Sequence, residues 1–342
     1  MTDGSHDVCP KAMTFGPCGG VRNDETCEVD ARPCPFLLDR EMPFLIGPER
    51  PLALRLPEPT ILVDVRAPAR WVGPHRVLWA AIAAELHGCV ALLGEHVDNP
   101  SATPDDSGAL PATEVIAILR DADVDVIATV TGRDRTLQDA VALIASYREA
   151  GVTAIHCVTG DHPAAVGIPR PARFGAEAIT LIAAATGSGL PATVGESPAS
   201  PGHRPERLAL KETAGAALGI LNHCGQPERL VAFADACREA GVTLPLLAPV
   251  PMVADRVAAL GLANFPGVRL PHGFLDAVIE ANDPVAAGLR ASRSLIDAVA
   301  ASGRFAGVNL SGGAGGLDPW ERLELTGRFI AEARRAFDAH RR

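Results

Sequence analysis

From Thr60 onward, short apolar runs alternate with longer stretches whose apolar residues recur every three or four positions. The clearest example lies between Val126 and Pro163. Val126-Ile127-Ala128-Thr129-Val130 is short, apolar and rich in β-branched residues, as expected of a strand buried on both faces. Thr136 to Ala150 places apolar residues at Leu137, Val141, Leu143, Ile144 and Tyr147, which is helical spacing. Gly151 ends that helix, and Val152 to Val158 forms the next apolar run. A parallel βαβ unit brings both post-strand loops to one edge of the sheet. Those loops are Thr131-Gly132-Arg133-Asp134 and Thr159-Gly160-Asp161-His162-Pro163, and they are dense in polar side chains.

The same alternation continues along the chain. Strands are expected at Thr60 to Val65, Cys89 to Gly94, Leu190 to Gly195, Ala217 to Leu221, Thr243 to Ala248 and Phe305 to Leu310, in addition to the two above. Helical patterns separate them, with two or three helices between Met252 and Ser302 and a last one from Asp318 to about His340. Eight strand–helix units predict an α/β fold, a (β/α)8 TIM barrel. The alternative is an open doubly wound sheet, but no GxGxxG follows the first strand. A glycine-rich stretch, Gly312-Gly313-Ala314-Gly315-Gly316, follows the eighth strand and reads either as an anion-binding loop or as a plain connector.

In a barrel the catalytic rim is the set of residues just past each strand. Here they are Asp64 and Arg66, Glu95 to Asn99, Thr131 to Asp134, Thr159 to His162, Glu196, Asn222 and His223, Pro249 to Pro251, and Asn309 to Ser311. Polar residues emerge at nearly every strand end, which points to an enzyme.

Residues 1 to about 40 lack either periodicity and are rich in Cys, Gly and Pro. A segment with so little apolar material needs a staple. Cys9, Cys18, Cys27 and Cys34 suit a structural four-thiolate zinc site, with an iron–sulfur cluster or no metal as the other readings. His6 is a candidate substitute ligand or a solvated side chain. The expected division is a cysteine-rich module over 1–40, a proline-rich connector over 41–58 and the barrel over 59–342. Cys89, Cys157 and Cys237 fall in apolar patterns and read as small core residues, and Cys224 as core or near the rim.

Composition narrows the function. The chain has 342 residues, 47% of them hydrophobic, enough for a sizeable core. A formal net charge of -10 argues against nucleic acid or an anionic membrane as partner. No apolar run is long enough to span a bilayer. The polar first residues lack a signal-peptide core, so a cytoplasmic protein is expected.

Several segments together resemble the methylenetetrahydrofolate reductase family, whose fold is a (β/α)8 barrel. Gly151 to Pro163 is similar to its segment ending in GD-x-P, and Thr131 to Asp134 to its T-C-x-D. Lys211-Glu212-Thr213-Ala214-Gly215-Ala216 resembles K-x-x-AGA, and Pro266 to Pro271 resembles a late x-V-(R/K)-(I/L)-P. Asp98-Asn99-Pro100 resembles the DNP of flavin-independent relatives, and the GPCGG of residues 16–20 resembles a cysteine module that accompanies some members.

The resemblance implies reduction of 5,10-methylenetetrahydrofolate to 5-methyltetrahydrofolate by NADH or NADPH. Asp64 matches the position of the family's acidic residue after the first strand and is the expected general acid. Asp161 matches its GD aspartate and would favour the iminium cation. Asn222, Asp98, Asn99 and Thr131 are expected to contact substrate. Asp134, Thr159, Gly160, Glu196 and Lys211 are expected at the cofactor, Lys211 matching a lysine that approaches flavin phosphate. Around Glu196 and Met252 the aromatic residues expected to cradle FAD are missing, so a flavin-poor or flavin-free enzyme is expected. Two other readings stay open: a folate-dependent one-carbon enzyme of another class, and a non-catalytic partner subunit of a flavin-bearing reductase. A homo-oligomer also stays open.

Overall fold

The computed structural model describes residues 9–38, 45, 47–48, 51–65, 75–95, 110–224, 226–263, 270, 273–312 and 317–340. Eight parallel strands close into a barrel in sequence order, with the eighth hydrogen-bonded to the first. They are β1 (Thr60–Val65), β2 (Val90–Leu93), β3 (Asp125–Thr131), β4 (Ala154–Val158), β5 (Ala192–Glu196), β6 (Ala216–Leu221), β7 (Leu246–Pro251) and β8 (Gly307–Ser311). The helices that bear on the site are α4 (Leu137–Glu149), α5 (Ala178–Gly187), α6 (Arg204–Thr213), α8 (Arg256–Ala263) and α11 (Pro319–His340). The (β/α)8 expectation is met, and among the described residues three helices lie between β7 and β8.

Side chains alternate across each strand, so one set packs on the helices and the other fills the barrel. Ile61, Val63 and Val65 of β1 belong to the large core under the helices, while Leu62 points into the barrel. Leu62, Val90, Leu92, Ile127, Ala154, Leu218, Ile220 and Leu247 form the barrel's lower interior, with Leu54 and Leu56 of the connector packed beneath. Burying each such Leu or Ile contributes about 2 kcal/mol. One or two inward positions further along the strands, the residues become polar: Asp64, Thr131, His156, Asn222, Asn309 and Ser311. The barrel is therefore apolar at its N-terminal end and polar at its C-terminal mouth.

Local signals place the elements. Thr136 caps α4, accepting from the Asp139 amide at 3.2 Å while Asp139 accepts from the Thr136 amide at 2.8 Å. The structure moves β7 later than the apolar run suggests: it starts at Leu246 and continues through Pro249 and Pro251. Prolines fit there because β7 pairs with β6 only at Leu246 and Leu247, so the missing amides leave no ladder bond unmade on that side.

The cysteine-rich segment lies against the mouth of the barrel. The Thr14 amide donates to Glu177 beside the start of α5 at 2.8 Å, and Ser200 Oγ donates to the Gly19 carbonyl at 2.8 Å. The expected four-thiolate zinc site is not built. Among the described residues no three His, Cys, Asp or Glu side chains are placed to hold a metal ion. Cys18 is engaged elsewhere, its Sγ 3.6 Å from Glu28 Oε2. The staple is instead a set of polar contacts to the barrel.

Candidate active site

A cavity of about 900 Å³ opens at the C-terminal mouth. Its volume lies within the usual range for small-molecule sites. Of the residues expected at the site, it is lined by Asp64, Asp161, Asn222, Thr131, Thr159, Gly160, Glu196 and Lys211, together with Cys18. Seven of these eight lie at or just past a strand end and converge because a parallel barrel delivers strand C-terminal ends to one face; Lys211 reaches the cavity from α6. Asp134 is not part of that lining. At a φ of 56° it ties its loop to the next one, accepting from Arg170 at 2.7 Å and from the Arg173 amide at 3.1 Å. Cys9, Cys27 and Cys34 do not line the cavity either. His6, Arg66, Asp98, Asn99 and Gly313 to Gly316 lie outside the described residues, as does all of the 266–271 segment except Leu270.

The wall above β3 and β4 is held by charge. Glu95 accepts from the Thr131 amide and hydroxyl at 3.1 and 3.0 Å, and from Arg135 at 2.7 Å. Gly160 has a φ of 91°, and a side chain there would crowd Thr131 and Arg133. Arg133 donates to the Asp161 carbonyl at 3.2 Å. Asp161 is exposed and lines the cavity. Desolvation by the protein around its loop pushes its carboxyl above the usual range, Glu28 pushes the same way, and Lys11 and Arg133 pull it back.

Above β5 sits a second buried cluster. Arg204, Arg207, Leu208 and Lys211 form one stripe of α6, spaced as a helix face, and all are buried. Lys211 donates to Glu196 at 2.8 Å and Arg204 at 3.3 Å. Burial alone would raise the Glu196 carboxyl, but Lys211, Arg204 and Arg207 together lower it to about 2, so it is ionised. Two further donors meet the cysteine-rich segment: Arg204 donates to the Cys18 carbonyl at 3.0 Å, and Arg207 to the Phe15 carbonyl at 2.5 Å. A Cβ at Gly16 would sit 2.8 Å from Arg207, and one at Gly19 would sit 2.9 Å from Ser197. The glycines of GPCGG thus let the backbone lie flat on this cluster. The stripe was readable as R-x-x-R-L-x-x-K on the helix after β5.

The floor is polar and uncharged. His156 Nδ1 pairs with Thr193 Oγ1 at 3.0 Å, and His223 Nε2 with Ser311 Oγ at 2.9 Å. Burial lowers both imidazoles to about 4, so both are neutral near pH 7. Asn222 Nδ2 donates to Ser197 Oγ at 2.7 Å. Asn309 Oδ1 is buried with no hydrogen-bond partner. Opposite the charged wall, Met252, Val257, Leu262, Leu323 and Phe329 supply an apolar side from β7, α8 and α11.

A parallel barrel with a polar mouth, carboxyls facing its cavity and a neutral hydrogen-bonding floor defines a small-molecule enzyme of the (β/α)8 class. Residues 101–303, more than half of the chain, match the model of the family described as methylenetetrahydrofolate reductase. The chain belongs to that family, and membership makes it an oxidoreductase. No curated protein matches it. Among solved structures, one described as native KDPGal is 10% identical, covers 81% of this chain and 96% of its own, and has a TM-score of 0.45. A tryptophan synthase from M. tuberculosis is 14% identical over 72% of this chain and 98% of its own, at 0.41. A pyruvate carboxylase from Rhizobium etli is 13% identical over 83% of this chain and 28% of its own, also at 0.41. These likenesses are too distant to bear on function.

Proposed function

We propose that this protein reduces 5,10-methylenetetrahydrofolate to 5-methyltetrahydrofolate with NADH or NADPH, using the cavity at the barrel mouth. Family membership supports the reaction, and the observation that carries the site is the Gly160-Asp161 loop facing that cavity. The imidazolidine ring of the substrate opens when its bridging nitrogen takes a proton, leaving an iminium cation at the other nitrogen. A reduced nicotinamide, when bound, supplies the hydride that closes the balance at the methylene carbon.

Of the carboxyls in the cavity lining, Glu28, Glu95 and Glu196 are paired with Lys11, Arg135 and Lys211, and we assign these steps to Asp64 and Asp161. The raised Asp161 carboxyl is the better proton carrier, and we assign it the general acid, leaving Asp64 to face the cation. The sequence match suggests the reverse division. Asn222 and Thr131 are assigned to the substrate, with Asp98 and Asn99. Thr159 and Gly160 are assigned to the nicotinamide. Neutral His156, Asn222 and Asn309 suit a planar heterocycle that both donates and accepts hydrogen bonds. In this reading residues 1–40 form a module that roofs the barrel of 59–342, joined by the connector 41–58.

A flavin finds a poor fit among the described residues. The only Phe, Tyr or Trp in the cavity lining is Phe329, and Lys211 is already committed to Glu196 and the Gly195 carbonyl. We therefore propose direct hydride transfer. The test is NADH or NADPH consumption by the purified protein with and without methylenetetrahydrofolate, beside its visible spectrum. Absence of folate-dependent consumption sinks the reductase. A yellow protein that bleaches with NADH and recovers with substrate sinks direct transfer.

A further inference from the structure

The loop that carries Asp161 is gripped by two residues of the cysteine-rich segment. Lys11 is 5% exposed and donates through Nζ to the Gly160 carbonyl at 2.8 Å. Glu28, 2% exposed, pairs with Lys11 and accepts from the His162 amide at 3.1 Å. The two contacts therefore fall on the residues immediately before and after Asp161. Arg133, in the loop after β3, holds the Asp161 carbonyl itself. The charge pattern is complementary: a cation meets a carbonyl oxygen, and a carboxylate meets an amide N–H.

An ion pair this deeply buried is a costly way to hold a roof in place, because desolvation cancels much of its attraction. Apolar side chains would do that with less penalty. What this pair supplies is direction. It fixes the peptide planes on both sides of one carboxyl-bearing residue that lines the cavity. Lys11 is confined further by the Phe174 ring, 5.5 Å from its Nζ, and Phe174 stacks on His162 with centroids 6.0 Å apart. Gly20 completes the fit, since a Cβ there would sit 1.7 Å from Glu28 Oε2.

We propose that Lys11 and Glu28 are positioning residues for Asp161: a clamp, brought by the N-terminal segment, that holds the acid of the proposed reduction. The proposal rests on the function assigned above. It makes the segment part of the working site, independent of any metal.

The test uses the full-length protein and three variants, Lys11→Met, Lys11→Arg and Glu28→Gln. Amide exchange is read first, over residues 158–165. Lys11→Met and Glu28→Gln speed exchange there by ~10-fold or more while β6 to β8 stay protected, which shows that the barrel is folded. Unchanged exchange at 158–165 overturns the clamp. Turnover is read next. Both variants lower kcat by ~10- to 100-fold with little change in KM, and Lys11→Arg restores most of it. Combining Lys11→Met with Asp161→Asn costs little beyond Asp161→Asn alone, because both act through one group. Additive losses, or losses confined to KM, overturn the positioning role. Faster exchange in the variants, together with a wild-type protein that has no folate-dependent turnover, would refute the assigned reaction and leave the clamp standing.

Discussion

The two sides of the cavity are built on opposite principles. The side over β4 and β5 is a wall of buried charge, in which Lys11, Glu28, Glu196, Arg204, Arg207 and Lys211 are all at most 5% exposed. The side over β7 and α8 is apolar and looser, and Val257 is 60% exposed. Nearly all the charge on the first side is spent inside the protein. Lys211 and Arg204 turn to Glu196, and Arg204 and Arg207 to carbonyls of the N-terminal segment. Such groups hold a framework and have little left to offer a ligand. The exceptions are Asp161, which opens onto the cavity, and the neutral floor. The apolar side has no framework task and is free to take the faces of a ring system.

The contrast predicts different failures. Asp161→Asn, on the charged side but facing the cavity, lowers kcat/KM for folate-dependent NAD(P)H oxidation by ~10²- to 10⁴-fold with no loss of folding. Asp64→Asn retaining the high-pH fall in kcat/KM while Asp161→Asn loses it would confirm the assignment of the acid; the opposite outcome reverses it. Glu196→Gln strands three buried cations and costs about 3–5 kcal/mol in urea unfolding. A variant at Glu196 as stable as the wild type would mean that the cluster is not a framework after all.

Much of the charged wall was out of reach from the sequence, for a physical reason. Strands and helices announce themselves by periods of two and 3.6, and β1 to β8 fall close to where those periods place them. The rim follows from the strand ends, which is why Asp64, Thr131, Asp161, Glu196 and Asn222 meet in one cavity. A segment with no period gives no hint of where it docks. Lys11 and Glu28 are ordinary charged residues in a cysteine-rich stretch, and only folding back across the mouth joins them to residues more than a hundred positions away. The cysteines suggest a metal from their type alone, whereas the contact that the fold gives Cys18 is to Glu28. Asp134 misled because a polar residue past a strand can face the adjoining loop as readily as the cavity.

The floor makes a prediction in pH. His156 and His223 are depressed from 6.5 to about 4 by burial. A group whose folded pKa is depressed contributes stability that is fully present above the unfolded value and is lost as pH falls toward the folded one. Stability should therefore be flat above pH 6.5 and decline between there and about 4, by on the order of 3 kcal/mol for each histidine. Melting temperatures across that window check it, and His156→Gln should flatten the decline. On the opposite, apolar side, Val257→Ser should leave the melting temperature within a degree or so and raise KM by only a few-fold, since an exposed side chain adds little to folding.

Asn309 separates the two kinds of residue most finely. It sits on β8, 6% exposed, and its Oδ1 has no partner. An unmet buried acceptor costs about 1–3 kcal/mol, so as a framework residue it would be a poor choice. As a contact to a ligand N–H it makes sense, because the cost is recovered only when the cavity is filled. Asn309→Leu should then hold or slightly raise the melting temperature while raising KM for the folate by ~10-fold at unchanged kcat. Both readouts moving together, stability down and turnover down, would place Asn309 in the framework with Glu196. Stability up and KM unchanged would mean that the ligand does not reach the β8 side of the floor.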